Sequence, residues 1–217
     1  MINIDRLIAQ KNILEIGGPS GLIYSWYSKM NSVSFLNYSS SMAAYHHGYT
    51  PPNPSNTAKI YDGDASDATP FIQNRLLRKF DCVITSHTLE HFANPIKALL
   101  FWSTALKNNG AIITIVPNKN ECWDRARQYT TIEHLIEDFN KNTSERDMTH
   151  LEESSCMIES RPTYYKDVGS TNETRVIHHH VFSTDTLKLC HEMAGFKTLN
   201  CFISDSDKLQ MVYIGEI

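Results

Sequence analysis

The sequence predicts an α/β fold: a doubly wound, mostly parallel sheet of seven strands, closed by a C-terminal antiparallel hairpin and carrying a polar insertion after strand five. Three observations predict it. Short apolar runs alternate with helical patterns, the signature of βαβ units. Two of those runs, DCVIT at 81–85 and AIITIV at 111–116, are almost continuously apolar or β-branched, as strands buried on both faces must be. A glycine pair, Gly17-Gly18, follows directly on the first run, NILEI at 12–16.

The elements then follow in order. Strands are expected at 12–16, 33–37, 58–61, 81–85 and 111–116. The clearest helix opens after Asn94, an N-cap, with Pro95 in the first helical position. Its apolar positions Ile96, Leu99, Leu100 and Leu106 lie near one face, and Asn109-Gly110 is read as its C-terminal stop. From 118 to 178 the chain is polar, with a helix expected at 131–140; this is too long for a simple connection and reads as a substrate-side insertion or lid. A strand is expected through His178-His179-His180, with His178 and His180 facing one way and His179 the other. A helix at 184–194 ends at Gly195, and strands at 197–204 and 209–214 flank the turn Asp205-Ser206-Asp207.

At 217 residues the chain, 1–217, fits one domain with a sizeable core. The net charge of −4, with Lys and Arg scattered, argues against a protein that grips long nucleic acids. Five cysteines without a CxxC pair point to a reducing, cytoplasmic compartment. No stretch approaches the length of a membrane span.

Chemistry concentrates first at 15–21. Glycines after a strand let the backbone approach a ligand at the carboxyl edge of the sheet. Glu15 ahead of them would repel a dinucleotide's pyrophosphate and suits a ligand carrying an ammonium group. The block FDCVITSHTLEHFANPIKALLFWSTALKNNGAIITIVP at 80–117 closely resembles the fourth and fifth motifs of the class I S-adenosylmethionine-dependent methyltransferases. In that family FD, a hydrophobic run, S-x-x-L-E-H, a helix, L-K-x-G-G and a strand ending in Pro follow one another.

The resemblance implies a Rossmann-like fold and S-adenosylmethionine as cofactor, held by Glu15, Gly17, Gly18, Ser20 and Ser86. Asp62-Gly63-Asp64-Ala65 resembles the third motif, which gives Asp64 a place beside the adenine with Ala65 next to it. One departure stands out. The second strand of the family ends in an acid that accepts the ribose hydroxyls, and here it ends in Asn37, whose amide oxygen accepts more weakly.

A second resemblance covers the insertion. The segment at 122–139, with Thr149-His150-Leu151-Glu152-Glu153 and His178-His179-His180-Val181-Phe182, looks like bacterial methyltransferases of glycan and secondary-metabolite clusters. It implies O-methylation of a sugar or sugar-derived hydroxyl, with a small-molecule or glycan acceptor. Asp124, Arg125, Arg127, His178 and His180 would shape the acceptor pocket. A methyltransferase on RNA or lipid, or a degenerate fold serving only as a binding partner, is the alternative, and homo-oligomers are left open.

Two histidines are the catalytic candidates, His150 and His87. A hydroxyl nucleophile wants a base, and histidine is the residue most often used. The acidic neighbours Glu145, Asp147, Glu152 and Glu153 are expected to orient His150 and raise its pKa. His87, Glu90 and His91 stand at i, i+3 and i+4, on one face if helical. They are similar to the E-x-x-E-H metal element of small-RNA 2′-O-methyltransferases, which makes Glu90 and His91 candidate ligands for Mg, Mn or Zn.

Overall fold

The computed structural model describes residues 3–38, 54–154, 159 and 177–217. Seven strands form one sheet: β1 (Asn12–Ile16), β2 (Ser32–Asn37), β3 (Thr57–Asp62), β4 (Phe80–Ser86), β5 (Leu106–Pro117), β6 (Lys197–Ile203) and β7 (Gln210–Glu216). Their order is β3-β2-β1-β4-β5-β7-β6. The first five pair in parallel, and β7 runs antiparallel to both β5 and β6. The predicted architecture, closing hairpin included, is the observed one.

The continuous apolar runs are explained by two-sided burial. Along β5, Ile112 and Val116 join one core with Leu14, Val83 and Trp102, while Ile113 and Ile115 join the other with Ile13, Cys82 and Ile84. Helices α1 (Asp5–Ile8), α2 (Tyr24–Tyr27), α3 (Thr69–Gln73), α4 (Pro95–Thr104), α5 (Ile132–Lys141) and α6 (Thr184–Met193) complete the layers. α4 starts as expected, with Asn94 Oδ1 accepting from Lys97 N at 3.1 Å. α6 begins in a capping box built from Ser183 and Thr186, and Gly195 follows it at φ +91°.

Two expectations need correction. α4 ends at Thr104, so Leu106 opens β5 and does not extend the helix. The reason lies in the approach to β4: Arg78 N takes the Thr104 carbonyl, and Lys79 N and Phe80 N take that of Ala105, at 2.9–3.0 Å. Those bonds turn the chain one helical turn early. Asn109 is left-handed (φ +60°), as its type allows, but it serves a bulge where the pairing jumps from Phe80↔Leu106 to Cys82↔Ala111.

The run 177–182 is not a strand. It is extended chain laid between two partners: Thr130 N donates to Val181 O (2.9 Å) and His180 N to Glu90 O (3.2 Å). His178 and His180 accordingly enter different side-chain clusters, described below.

Strand order reverses between β1 and β4, where β1 leads outward to β2 and β3, and β4 leads the other way. Ligands of open α/β sheets bind at the carboxyl ends of the strands at such a switch point. Gly17 and Ser86 stand there, since Ile16 pairs with Thr85. Among the described residues no helix is long and apolar enough to cross a membrane.

Candidate active site

The glycine turn is built to be glycine. Gly17 has φ +80°, and a Cβ there would lie 2.5 Å from Thr88 Oγ1. A Cβ on Gly18 would fall 2.3 Å from the Glu15 carboxyl carbon. Glu15 is buried and turned into this loop, accepting from Ser20 N (3.0 Å) and from the Tyr27 hydroxyl (2.6 Å). Burial pushes its pKa up to about 8, against the lowering effect of those two bonds. Both carboxyl oxygens thus shape the turn. Tyr27, whose oxygen also accepts from Ser20 N at 2.9 Å, carried no signal in the sequence.

That geometry gives a pH prediction. A carboxyl whose folded pKa lies above its unfolded value of 4.5 favours the folded state while protonated, and this contribution fades as pH rises from about 5 to about 8. Glu15→Gln accepts from Ser20 N through its amide oxygen and donates to the Tyr27 oxygen through its amide nitrogen, without the ionisation. The variant should therefore gain in melting temperature relative to the parent between pH 5 and pH 8, read by thermal scans across that range. A constant gap would refute the raised pKa.

At the far side of the turn, Asn37 ends β2 in register with Asp62, and its carbonyl accepts from Gly63 N (2.8 Å). Its side-chain Oδ1 is buried with no hydrogen-bond partner among the described residues. An unsatisfied buried acceptor costs about 1–3 kcal/mol, which a ligand hydroxyl would recover. Asp64 Oδ1 accepts from Ser66 N (2.9 Å), and the buried Ala65 accepts from Trp102 Nε1 (2.9 Å), so this pair holds the loop after β3. Ser20 Oγ lies 3.3 Å from Ser86 Oγ, joining the turn to the end of β4. Asn37→Asp should tighten S-adenosylhomocysteine by about 1 kcal/mol, roughly fivefold, by calorimetry. Weaker binding by a folded variant would remove Asn37 from the ribose site.

Beyond β4 the chain does not continue as a helix through 87–91. His87 is left-handed (φ +51°), and only Leu89–His91 form a short 3-10 turn. The three predicted side chains still converge: His87 Nδ1 lies 3.8 Å and His91 Nε2 4.0 Å from Glu90 Oε1. His87 Nε2 is taken by Gln210 Oε1 at 2.6 Å, a partner from β7 that spacing could not reveal. Glu90 is buried, neither carboxyl oxygen has a hydrogen-bond partner among the described residues, and burial raises its pKa.

Against Glu90 stands His178. Its Nδ1 bonds Asp124 Oδ2 at 2.6 Å, and its ring meets that of His91 edge-on at 4.8 Å. Burial works against its charged form, but the hydrogen bond and charge of Asp124 win and hold its pKa above the usual value. Asp124 in turn is held down to about 2, the bond and charge of His178 and the Arg127 guanidinium outweighing its burial. Arg127 bonds Asp124 (2.9 Å), the His178 carbonyl (2.8 Å) and Glu153 (3.2 Å). Arg125 is apart from this network: it is exposed, with Nε on the Asn120 carbonyl at 2.8 Å.

His150 belongs elsewhere. It is buried, its Nε2 faces His134 Nε2 at 3.0 Å, and its ring lies 5.5 Å from that of His180. Contrary to expectation its pKa is lowered, because burial outweighs the nearby Glu153.

Strand order, the antiparallel seventh strand and the glycine turn at the switch point together define the class I S-adenosylmethionine-dependent methyltransferase fold. The chain belongs to the methyltransferase domain family, whose profile matches residues 3–200. No protein of curated function matches it in sequence. Solved structures share the fold at low identity. A SAM-dependent methyltransferase from Aquifex aeolicus is 14% identical with a TM-score of 0.55, covering 97% of this chain and 84% of its own. The CurJ carbon methyltransferase is 14% identical with a TM-score of 0.52, over 96% of this chain and 48% of that one. An O-methyltransferase family 2 protein from Planctomyces limnophilus, in complex with apigenin, is 10% identical with a TM-score of 0.51, over 96% and 50%. The chain thus spans about half the length of some of these relatives.

Proposed function

We propose that the chain is an S-adenosylmethionine-dependent O-methyltransferase acting on a hydroxyl of a sugar or sugar-derived metabolite, in surface-glycan or natural-product biosynthesis. The observation that carries this reading is the His178–Asp124 pair beside the cofactor edge. When bound, S-adenosylmethionine supplies the electrophilic methyl group. Gly17 and Gly18 admit it to the backbone, Ser20 and Ser86 line the turn, and Asn37 offers its unpartnered oxygen to a ribose hydroxyl. Asp124 fixes His178 with a proton on Nδ1, which leaves Nε2 as the basic nitrogen for the acceptor hydroxyl. His178 replaces His150 as the base in this reading, because His150 faces a second histidine. Arg127, Asp124 and Glu153 give the acceptor side a charged, hydrogen-bonding wall suited to a polyol.

A second reading rests on a specific observation. Glu90, His91 and His178 offer ligand atoms within 4.8 Å of one another, and the Glu90 oxygens are unpartnered. A divalent cation held there would activate the hydroxyl in place of a base. The test is methyl transfer from labelled S-adenosylmethionine to nucleotide sugars and simple glycosides, set against amines, lipids and short RNA. O-methylated sugar is the expected product. Preferred methylation of RNA, lipid or an amine would overturn the reading.

A further inference from the structure

Three histidines and an aspartate that the transfer reaction does not use meet where the described part of the insertion joins the run before α6. His134 and Asp138 come from α5, His150 from the loop after it, and His180 from the extended run before α6. We propose that His134, His150 and His180, with Asp138 as fourth ligand, bind a divalent cation of the zinc type that fastens the insertion to the domain.

One ligand atom from each of the three histidines lies within 4.8 Å of the others. His134 Nε2 is 3.0 Å from His150 Nε2 and 3.2 Å from Asp138 Oδ2. Ligands on a tetrahedral zinc at 2.0–2.1 Å stand about 3.3 Å apart, so both spacings lie close to the required one.

Hydrogen bonding alone leaves the cluster unsatisfied. Two imidazole nitrogens facing at 3.0 Å can share only one proton. Among the described residues the buried Asp138 Oδ2 makes no hydrogen bond despite its near neighbours, and neither does the buried His180 Nδ1. A cation would satisfy what the protein does not. Outer contacts of the kind that orient metal ligands are present as well. Thr143 donates to Asp138 Oδ1 (2.9 Å), His180 Nε2 donates to the Ala93 carbonyl (3.1 Å) and so leaves Nδ1 for the cation, and His150 Nδ1 lies 3.5 Å from Glu153.

The donor set names the cation class. Three imidazoles and one carboxylate suit zinc and its first-row neighbours, whereas magnesium and calcium want oxygen shells. Four protein ligands leave no open position, so the cation's role is structural. It would join α5, the loop after it and the 177–182 run, which also carries His178. The site stands whether or not the acceptor is a hydroxyl.

The test uses the full chain purified without a histidine tag. Metal analysis should find one zinc per chain. After chelation, Co²⁺ should bind at one site with the intense visible absorption of tetrahedral coordination. His134→Ala and His150→Ala should each lose that cation and the rise in melting temperature it confers, while Glu90→Gln retains both. His134→Cys keeps a ligand in place, and should bind Co²⁺ with a new thiolate-to-metal charge-transfer band absent from the parent. This variant decides the matter even if the alanine variants fold poorly. No bound cation in the parent, undiminished binding in a His134→Ala/His150→Ala chain, or loss of binding in Glu90→Gln alone would each overturn the proposal.

Discussion

Gly17→Val is expected to weaken S-adenosylhomocysteine binding at least about 100-fold, which is about 2.7 kcal/mol. Two effects reach that size together. A β-branched residue at φ +80° costs about 1–2 kcal/mol of backbone strain, and its Cβ would sit 2.5 Å from Thr88 Oγ1. Overpacking of that kind costs about 1–3 kcal/mol, and relief must come from moving the turn or Thr88, two residues beyond β4. Either movement disturbs the edge proposed to hold the cofactor. Gly195→Ala is the control: its φ of +91° imposes backbone strain, but nothing lies within 4 Å of the added Cβ. It should lose a little stability and no affinity. Gly17→Ala in a Thr88→Ala background relieves the clash and keeps the strain, so it separates folding from binding. Calorimetry with circular dichroism reads both, and parental affinity in a folded Gly17→Val protein would end the cofactor assignment.

The fold was legible wherever burial imposes a period. Strands β4 and β5 read clearly because both faces are covered, so their residues had to be apolar without alternation. The Asn94 cap read equally well, because a cap is a local bond between residues three apart. The end of α4 did not, because the bonds that stop it come from Arg78 to Phe80, more than twenty residues upstream. The chemistry divides the same way. The glycine turn was readable as a contiguous motif with Glu15 ahead of it, though the burial of Glu15 and its bond from Tyr27 were not.

The histidines were readable as a set but not as two sites. Neighbours in sequence, His178 and His180 part company because the run holding them is pinned to Glu90 on one side and Thr130 on the other. One side chain meets Asp124 and Glu90, the other His134 and His150. His134 and Asp138, four apart on α5, carried a spacing signal that could have been used. Their convergence on His150 and His180 depends on tertiary packing and left no trace in spacing.

His178→Ala is expected to lower turnover by roughly 10²–10⁴-fold while leaving S-adenosylhomocysteine affinity unchanged, the range for loss of a positioned general base. The pH profile distinguishes this role from a structural one. A base works as neutral imidazole, so kcat/KM should fall as pH drops through the pKa of His178 in the free enzyme. Asp124 holds that pKa above the ordinary imidazole value, so the acid limb should lie above about pH 6.5. Asp124→Asn removes the charge that favours imidazolium and leaves burial, which opposes it. The limb should then move to lower pH even as turnover falls. His150→Ala should leave the limb where it is, since His150 lies in the other cluster and its own pKa is lowered. The cation reading predicts otherwise: Glu90→Gln and His91→Ala would match His178→Ala, and added divalent metal would restore chelated enzyme. Because chelation would also strip the His134–His150–His180 cluster, the substitutions carry that comparison. Full turnover by His178→Ala on the true acceptor, or an acid limb unmoved by Asp124→Asn, would remove His178 from catalysis.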